Sequence, residues 1–261
     1  IDKQLKNLDR TTHVIVATPG RLIDLIKRGT VNLNEVKTVV LDEADEMLSM
    51  GFKQDLTTIL QATTNKKRNT WLFSATMPED LKVIVRRYIS DKAARIQVNR
   101  TSLVNENISH FFVETTIADK PQTLINLLED REEERGIIFC RTKAGAQALK
   151  QVLQKEGFNV DALEGDMQQR ERDKVMRAFK NTNLQILIST DVSARGIDVN
   201  NLGFVIHHQL PEHIEYYTHR SGRTARGGKK GESIALVLSN ELQRLKTIEK
   251  TLQIHFKALT L

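Results

Sequence analysis

The sequence predicts an α/β chain built as parallel-sheet domains in tandem. Short apolar runs alternate with segments of helical period, the pattern of parallel strands joined by crossover helices. The length, 261 residues, suits two domains that each bury a core. Between Ile96 and Asn107 the pattern lapses into a polar stretch containing Arg100, Thr101, Ser102 and Asn105. We read residues 98–107 as a linker, with residues 1–97 before it and a second domain over 108–250. Residues 251–261 are expected to be a short tail.

The strand expectations run in order. They are His13–Ala17, Thr38–Leu41, Asn69–Phe73, Gly136–Cys140, Asn159–Leu163, Gln185–Ser189, Gly203–His207 and Glu232–Leu238. Each is the length of a buried strand, and no apolar run approaches the roughly 20 residues that span a bilayer. Helices are expected between them. Thr18 can cap one that has Pro19 at its first position and Gly29 at its end. Pro78, Glu79 and Asp80 suit the start of a second, over Met77–Ile89. Further helices are expected at Lys120–Leu128, Lys143–Lys155, Gln169–Phe179 and Asn240–Leu252.

Hydrophobic residues make up 39% of the chain and the net charge is +6, which is compatible with a polyanionic partner. A solvated lysine surface explains the same charge equally well. The single cysteine, Cys140, excludes an internal disulfide framework and any multi-cysteine zinc site. It lies in an apolar run, which points to a core thiol in a reducing compartment. We expect a cytoplasmic monomer with no signal peptide.

Several strand ends carry residues that suit phosphate chemistry. Asp42-Glu43-Ala44-Asp45 directly follows a strand, where open α/β sheets bind ligands. One carboxylate there can hold Mg²⁺ through water, and a second can orient the attacking water in phosphoryl transfer. A solvated acidic turn opening a helix is the plainer alternative. Thr18-Pro19-Gly20-Arg21 can take a phosphate at a helix N-terminus, or be a simple strand-to-helix turn. Ser74-Ala75-Thr76 ends another strand and can serve as a cap. Thr190-Asp191 opens a segment in which Gly196 permits close backbone approach and Asp198 can accept a hydrogen bond from a ribose hydroxyl, or is an ordinary connecting loop. Arg223 and Arg226 are three apart, so one helical face would point both at a phosphoryl group. A basic surface helix is the alternative.

Taken in order, these residues resemble the DEAD-box RNA helicases. The resemblance rests on Thr-Pro-Gly-Arg at 18–21, Asp-Glu-Ala-Asp at 42–45 and Ser-Ala-Thr at 74–76. It continues with Ile-Ile-Phe-Cys-Arg-Thr at 137–142, Gln-x-x-Arg at 169–172, and Thr-Asp-x-x-Ala-Arg-Gly-Ile-Asp at 190–198. His-Arg-x-Gly-Arg-x-x-Arg at 219–226 closes the series, and Met50-Gly51-Phe52 is similar to the family as well. Each motif is weak alone, but the ordered set is specific and covers about His13 to Leu238.

The resemblance implies two RecA-like domains, the first incomplete. It implies ATP-driven separation of RNA duplexes, with ATP and Mg²⁺ required. Asp42 would hold Mg²⁺ through water, Glu43 would activate the attacking water, and Arg223 and Arg226 would reach the γ-phosphate. Asp45, Ser74 and Thr76 would couple the acidic motif to the second domain, with His219 as partner. Gly196 and Asp198 would serve ATP. RNA would meet Thr18, Gly20 and Arg21, then Arg141, Thr142, Gln169, Arg172, Thr190 and Asp191. Such contacts go mainly to phosphate and sugar, so little sequence preference is expected.

Two positions depart from the family pattern: Glu164 stands where histidine is frequent, and Arg141 where asparagine is frequent. No Gly-x-x-x-x-Gly-Lys-[Ser/Thr] phosphate loop occurs. The nearest candidate, Gly222 to Gly227, continues with Gly228 where lysine is required. The expectation is therefore an N-terminally truncated motor core that does not turn over ATP alone. A non-catalytic RNA-binding module is the alternative.

Overall fold

The computed structural model describes residues 8, 12–97, 104–131, 134–194, 197, 199 and 202–260. It divides into two compact units, Ile1–Ile96 and Gln97–Leu261.

In the first unit helix α1 spans Pro19–Lys27. Thr18 holds the N-cap position in extended backbone, but its hydroxyl makes no capping bond. Proline at the first turn sets the helical φ instead. Gly29 ends the helix at φ +69°, a conformation that costs other residues. Strand β1 (Thr38–Leu41) follows, then α2 (Ala44–Ser49), α3 (Lys53–Ala62), β2 (Asn69–Leu72) and α4 (Glu79–Tyr88). β1 and β2 pair in parallel, Thr38 opposite Asn69 through Leu41 opposite Leu72. Leu41, Ala44, Leu56, Leu60, Leu81 and Ile84 form the core between this sheet and α2–α4. A second cluster joins α1 to α3 through Ile23, Leu25, Val31, Leu33 and Ile59.

His13–Ala17 is not a strand. Val14 is 77% and Val16 94% exposed, and no strand pairs with them among the described residues. An apolar run without a ladder partner gains neither the hydrogen bonds nor the burial that define a strand.

The second unit is an all-parallel seven-stranded sheet. Its elements are β3 (Ile108–Glu114), α5 (Lys120–Glu129), β4 (Gly136–Phe139), α6 (Lys143–Lys155), β5 (Val160–Leu163) and α7 (Gln169–Lys180). Then come β6 (Ile186–Ser189), α8 (Asp191–Ala194), β7 (Phe204–His207), α9 (Ile214–Ser221), β8 (Gly231–Val237), α10 (Leu242–Leu252) and β9 (Phe256–Ala258). The strand order is β5-β6-β4-β7-β8-β3-β9. Residues of β4, β6 and β7 are buried throughout, as expected where helices cover both faces. Alternation divides them between two cores. Ile138, Ile188 and Ile206 face α5 and α6, whereas Ile137, Phe139, Leu187 and Val205 face α7 and the segment after α8.

Two elements on one side of this sheet differ from the sequence reading. The sequence pattern singles out no strand at Ile108–Glu114, yet β3 lies between β8 and β9. The expected tail is also part of the sheet. After Gln253 turns the chain at φ 54°, β9 pairs with β3, and Phe256 enters the core with Ile248 and Leu252. Burying Phe256 offsets the ordering of the short strand, about 1.5–3 kcal/mol for such a side chain. Among the described residues no helix is long and apolar enough to cross a membrane.

Candidate functional site

In the first unit the sharp feature is the end of β1. The Glu43 amide donates to Asp42 Oδ1 at 2.9 Å. Glu43 itself sits at φ 51°, ψ 47°, a left-handed conformation that costs a residue with a side chain about 1–2 kcal/mol. The residue that follows it is held in place. The amide of Ala44, which is fully buried, donates to the Phe73 carbonyl at 3.1 Å.

Asp45 is tied more firmly. Its Oδ2 accepts from the Thr76 amide and hydroxyl, both at 2.8 Å, and its Oδ1 accepts from the Glu46 amide at 3.1 Å. The Asp45 amide donates to Ser74 Oγ at 3.2 Å, and that hydroxyl donates to the Thr76 carbonyl at 2.7 Å. Burial pushes the Asp45 pKa up. The donors from Thr76, Ser74 and Glu46 outweigh it, so the net direction is below the ordinary carboxylate value. This network stitches the end of β2 to the start of α2 and so fixes the backbone that presents Asp42 and Glu43. Asp45, Ser74 and Thr76, expected to act together, do meet, and their linkage closes within the first unit.

Thr18, Gly20 and Arg21 form the first turn of α1. Arg21 pairs with Asp24, which also accepts from Arg28 Nε at 2.7 Å. Space is open around Gly20, with no heavy atom within 4 Å of where a Cβ would stand.

In the second unit the strand order reverses around β4, which lies between β6 and β7 rather than beside its sequence neighbours. Such a point opens a crevice at the C-terminal strand ends. Arg141 and Thr142 follow β4, and Thr190 and Asp191 follow β6. Thr142 Oγ1 caps α6 by accepting from the Gly145 amide at 3.0 Å. The Arg141 amide donates to Gln209 Oε1 at 3.1 Å. Arg172 Nη2 donates to the Ser193 carbonyl at 2.6 Å, which ties α7 to α8. Gln169 Nε2 donates to Asp173 Oδ1 at 2.7 Å along α7. Thr190 Oγ1 donates to Ser193 Oγ at 3.1 Å. Glu164, at the end of β5, is buried and accepts from the Asp166 amide at 2.7 Å.

The arginine pair departs from expectation. Arg223 and Arg226 do not share a helical face, because α9 ends at Ser221. Ala225 at φ 56° and Gly227 at φ +65° turn the chain instead. Arg223 Nη1 donates to the Ile197 carbonyl at 2.9 Å, and Arg226 Nε to the Gly222 carbonyl at 3.1 Å. The turn lies hard against the start of β8. A Cβ on Gly231 would stand 2.1 Å from Thr224 Oγ1 and 2.9 Å from the Ala225 amide nitrogen.

Sequence reasoning missed Arg220. It is 1% exposed and grips Asp191 through Nε and Nη2, while its Nη1 donates to the Gln209 carbonyl at 2.9 Å. Its place between His219 and Gly222 in the arginine motif was the available signal. His219, on α9, makes an edge contact with the Tyr216 ring, centroids 6.4 Å apart. Gly196 and Asp198 lie outside the described residues.

Two family models match the chain. "DEAD/DEAH box helicase" matches residues 1–84, and "Helicase conserved C-terminal domain" matches residues 119–228. A probable ATP-dependent RNA helicase of Methanocaldococcus jannaschii, MJ0669, is 42% identical over 257 residues, which are 98% of this chain and 67% of that protein. This chain belongs to the DEAD-box helicase family. The DEAD-box ATP-dependent RNA helicase CshA of Bacillus cereus is 39% identical over 96% of this chain and 47% of its own length. The chain thus spans about two thirds of one of these relatives and about half of the other. Among solved structures, S. cerevisiae Dbp5 bound to RNA and ADP BeF3 superposes with a TM-score of 0.87 at 31% identity. It covers 96% of this chain and 66% of Dbp5. The DEAD-box chain accordingly has the tandem RecA-like architecture, with the candidate site at its strand ends.

Proposed function

We propose that this chain is the greater part of the motor core of an ATP-dependent RNA helicase, whose RNA-stimulated ATP hydrolysis drives local separation of duplexes. The observation that carries the reading is the Asp45–Ser74–Thr76 network, which holds Asp42 and Glu43 at the end of β1. Two relatives named as RNA helicases, and Dbp5 described as bound to RNA and ADP BeF3, support it.

Glu43 orients or deprotonates the attacking water, and its strained backbone aims the carboxylate before substrate arrives. Arg223 and Arg226 supply fixed positive charge to the transferring phosphoryl group. Asp42 fits a magnesium ligand: it ends a strand, with Oδ1 accepting only the short-range Glu43 amide bond among the hydrogen bonds described. Mg²⁺ favours one or two carboxylates with phosphate oxygens and water, and supplies charge neutralisation at the phosphates when bound. By the family resemblance, Gly196 serves ATP and Asp198 is the residue that accepts a hydrogen bond from the ribose hydroxyl. Asp45, Ser74, Thr76 and His219 couple hydrolysis to RNA.

RNA is held through phosphate and sugar by Thr18, Gly20 and Arg21 and by Arg141, Thr142, Gln169, Arg172, Thr190 and Asp191. Arg172 and Asp191 are themselves braced by protein partners, which orders them in advance of binding. The 2′-hydroxyl gives a basis for preferring RNA over DNA.

A second reading applies to the 261-residue chain by itself. Its sequence holds no phosphate loop, so it binds RNA without turning over ATP. The test measures ATPase activity, with and without RNA or DNA, on this chain and on a longer protein that adds a phosphate loop. RNA-stimulated turnover only in the longer protein supports both statements. Turnover by the chain itself refutes the second, and equal stimulation by DNA refutes the preference for RNA.

A further inference from the structure

Behind the candidate site a continuous polar chain runs through the core of the second unit. It begins at Asp191, passes through Arg220, and reaches His207, whose Nδ1 lies 3.5 Å from Arg220 Nη1. His207 Nε2 is 3.0 Å from Ser233 Oγ, which also contacts Ser221 Oγ at 2.8 Å and Tyr217 Oη at 3.1 Å. Tyr217 Oη ends the chain on His110 Nδ1 at 2.7 Å. His207, Ser221, Ser233 and Tyr217 are fully buried, and Arg220 and His110 nearly so.

Buried polar groups of this number are costly unless all are paired. Their pairing here joins three strands and two helices. His207 is on β7, Ser233 on β8 and His110 on β3. Tyr217, Arg220 and Ser221 share one face of α9, and Asp191 opens α8 after β6.

The chemistry also fixes the tautomer of His207. A guanidinium only donates, so the nitrogen facing Arg220 carries the lone pair. The Nε2–H then donates to Ser233. Burial, Arg220 and His110 all hold the His207 pKa well below the ordinary value, so the ring is neutral. Its plane stacks on Tyr217, centroids 4.5 Å apart, and lies 6.4 Å from Phe139, over whose face Arg220 also sits at 5.1 Å.

We infer that His207 is a positioning residue: through Arg220 it sets the Asp191 carboxylate and the turn carrying Arg223 and Arg226 against the start of β8. The Arg220 fork has no other side-chain neighbour on the sheet side in the hydrogen bonds described. Losing the lone pair of Nδ1 leaves a buried N–H of Arg220 facing carbon. The strain falls on α9, whose last turn leads directly into Gly222 and Arg223. The consequence for RNA rests on the function proposed above; the consequence for Arg220 does not.

Two substitutions separate positioning from packing, because the two roles rank them oppositely. His207→Phe keeps an aromatic ring for the stack, at a somewhat larger volume, but has neither the lone pair nor the Nε2–H that meets Ser233. His207→Asn loses the ring, yet its side-chain oxygen can stand where Nδ1 stood. The readouts, on the 261-residue chain, are hydrogen exchange of the Arg220 Nε–H by NMR and the Kd for a single-stranded RNA oligonucleotide. Positioning predicts that His207→Phe speeds exchange and raises Kd by about tenfold, the scale of one hydrogen bond to a charged group. It predicts that His207→Asn stays closer to the parent on both. The reverse order, or equal effects, overturns the inference.

Ser233→Ala guards against failure to fold, since it keeps the His207 ring and deletes one hydroxyl, the partner of His207 Nε2 that also contacts Ser221 and Tyr217. Faster Arg220 Nε–H exchange in this variant supports the inference, and parent-like exchange overturns it. If the parent does not bind RNA, the proposed function fails while the exchange measurements still decide the role of His207.

Discussion

Arg220 and Asp191, 29 positions apart, form a two-pronged ion pair, with Nε 2.5 Å from Oδ1 and Nη2 2.7 Å from Oδ2. The guanidinium is 1% exposed, so the pair joins the last turn of α9 to the start of α8 in a medium that magnifies both its attraction and the cost of breaking it.

Asp191→Ala should therefore destabilise the chain by about 3 kcal/mol, the lower end expected when one partner of a buried pair is removed. Urea unfolding measures this. Arg220→Met in the same background should recover part of the loss, because it removes the stranded charge. A double variant no more stable than Asp191→Ala would contradict the account.

Acid should weaken the second unit well before its carboxylates protonate. Burial holds His110 down at about 4, from 6.5. A folded-state value below the unfolded one means the unfolded chain binds more protons between these limits. Stability is then complete above about pH 6.5 and falls as pH drops toward 4, by roughly 3 kcal/mol for this one group at about 1.4 kcal/mol per unit. His208, also held at about 4 by burial and by Lys120, adds in the same direction. His110→Gln should flatten the dependence of urea stability on pH across that window. An unchanged slope would show that His110 is not buried neutral.

Gly231→Ala tests the seat of the arginine turn. A methyl group there cannot fit 2.1 Å from Thr224 Oγ1 without moving the turn. Overpacking of this kind costs about 1–3 kcal/mol. We expect that loss in thermal unfolding, together with faster amide exchange at Arg223–Arg226. Parent-like exchange would mean that the turn is not braced by β8.

Much of this architecture was legible in the sequence wherever one signal dominated. Thr38–Leu41 and Lys143–Lys155 appear with the bounds read from their apolar pattern. The misses have physical causes. Ile108–Glu114 alternates in burial but carries Ser109 and His110 inside the run, and His110 is buried only because Tyr217 satisfies its ring nitrogen. Val14 and Val16 are apolar yet exposed, since apolarity supplies no ladder partner. The spacing of Arg223 and Arg226 suggested a common helical face, but it carries no information that Ala225 adopts a positive φ. Within the site, Asp45, Ser74 and Thr76 were found because they belong to adjacent motifs. The Arg220–Asp191 pair and the His207 chain join side chains distant in sequence, and single-sequence periodicity is blind to such pairings.

The central claim is that Glu43 acts on the attacking water. Its most direct test is Glu43→Gln in a longer protein that adds a phosphate loop, with ATP hydrolysis and ATP-dependent RNA retention measured together. The account predicts hydrolysis slowed by at least about 100-fold, the scale of a lost general base, while RNA stays clamped in the presence of ATP. Hydrolysis at the parent rate would contradict it.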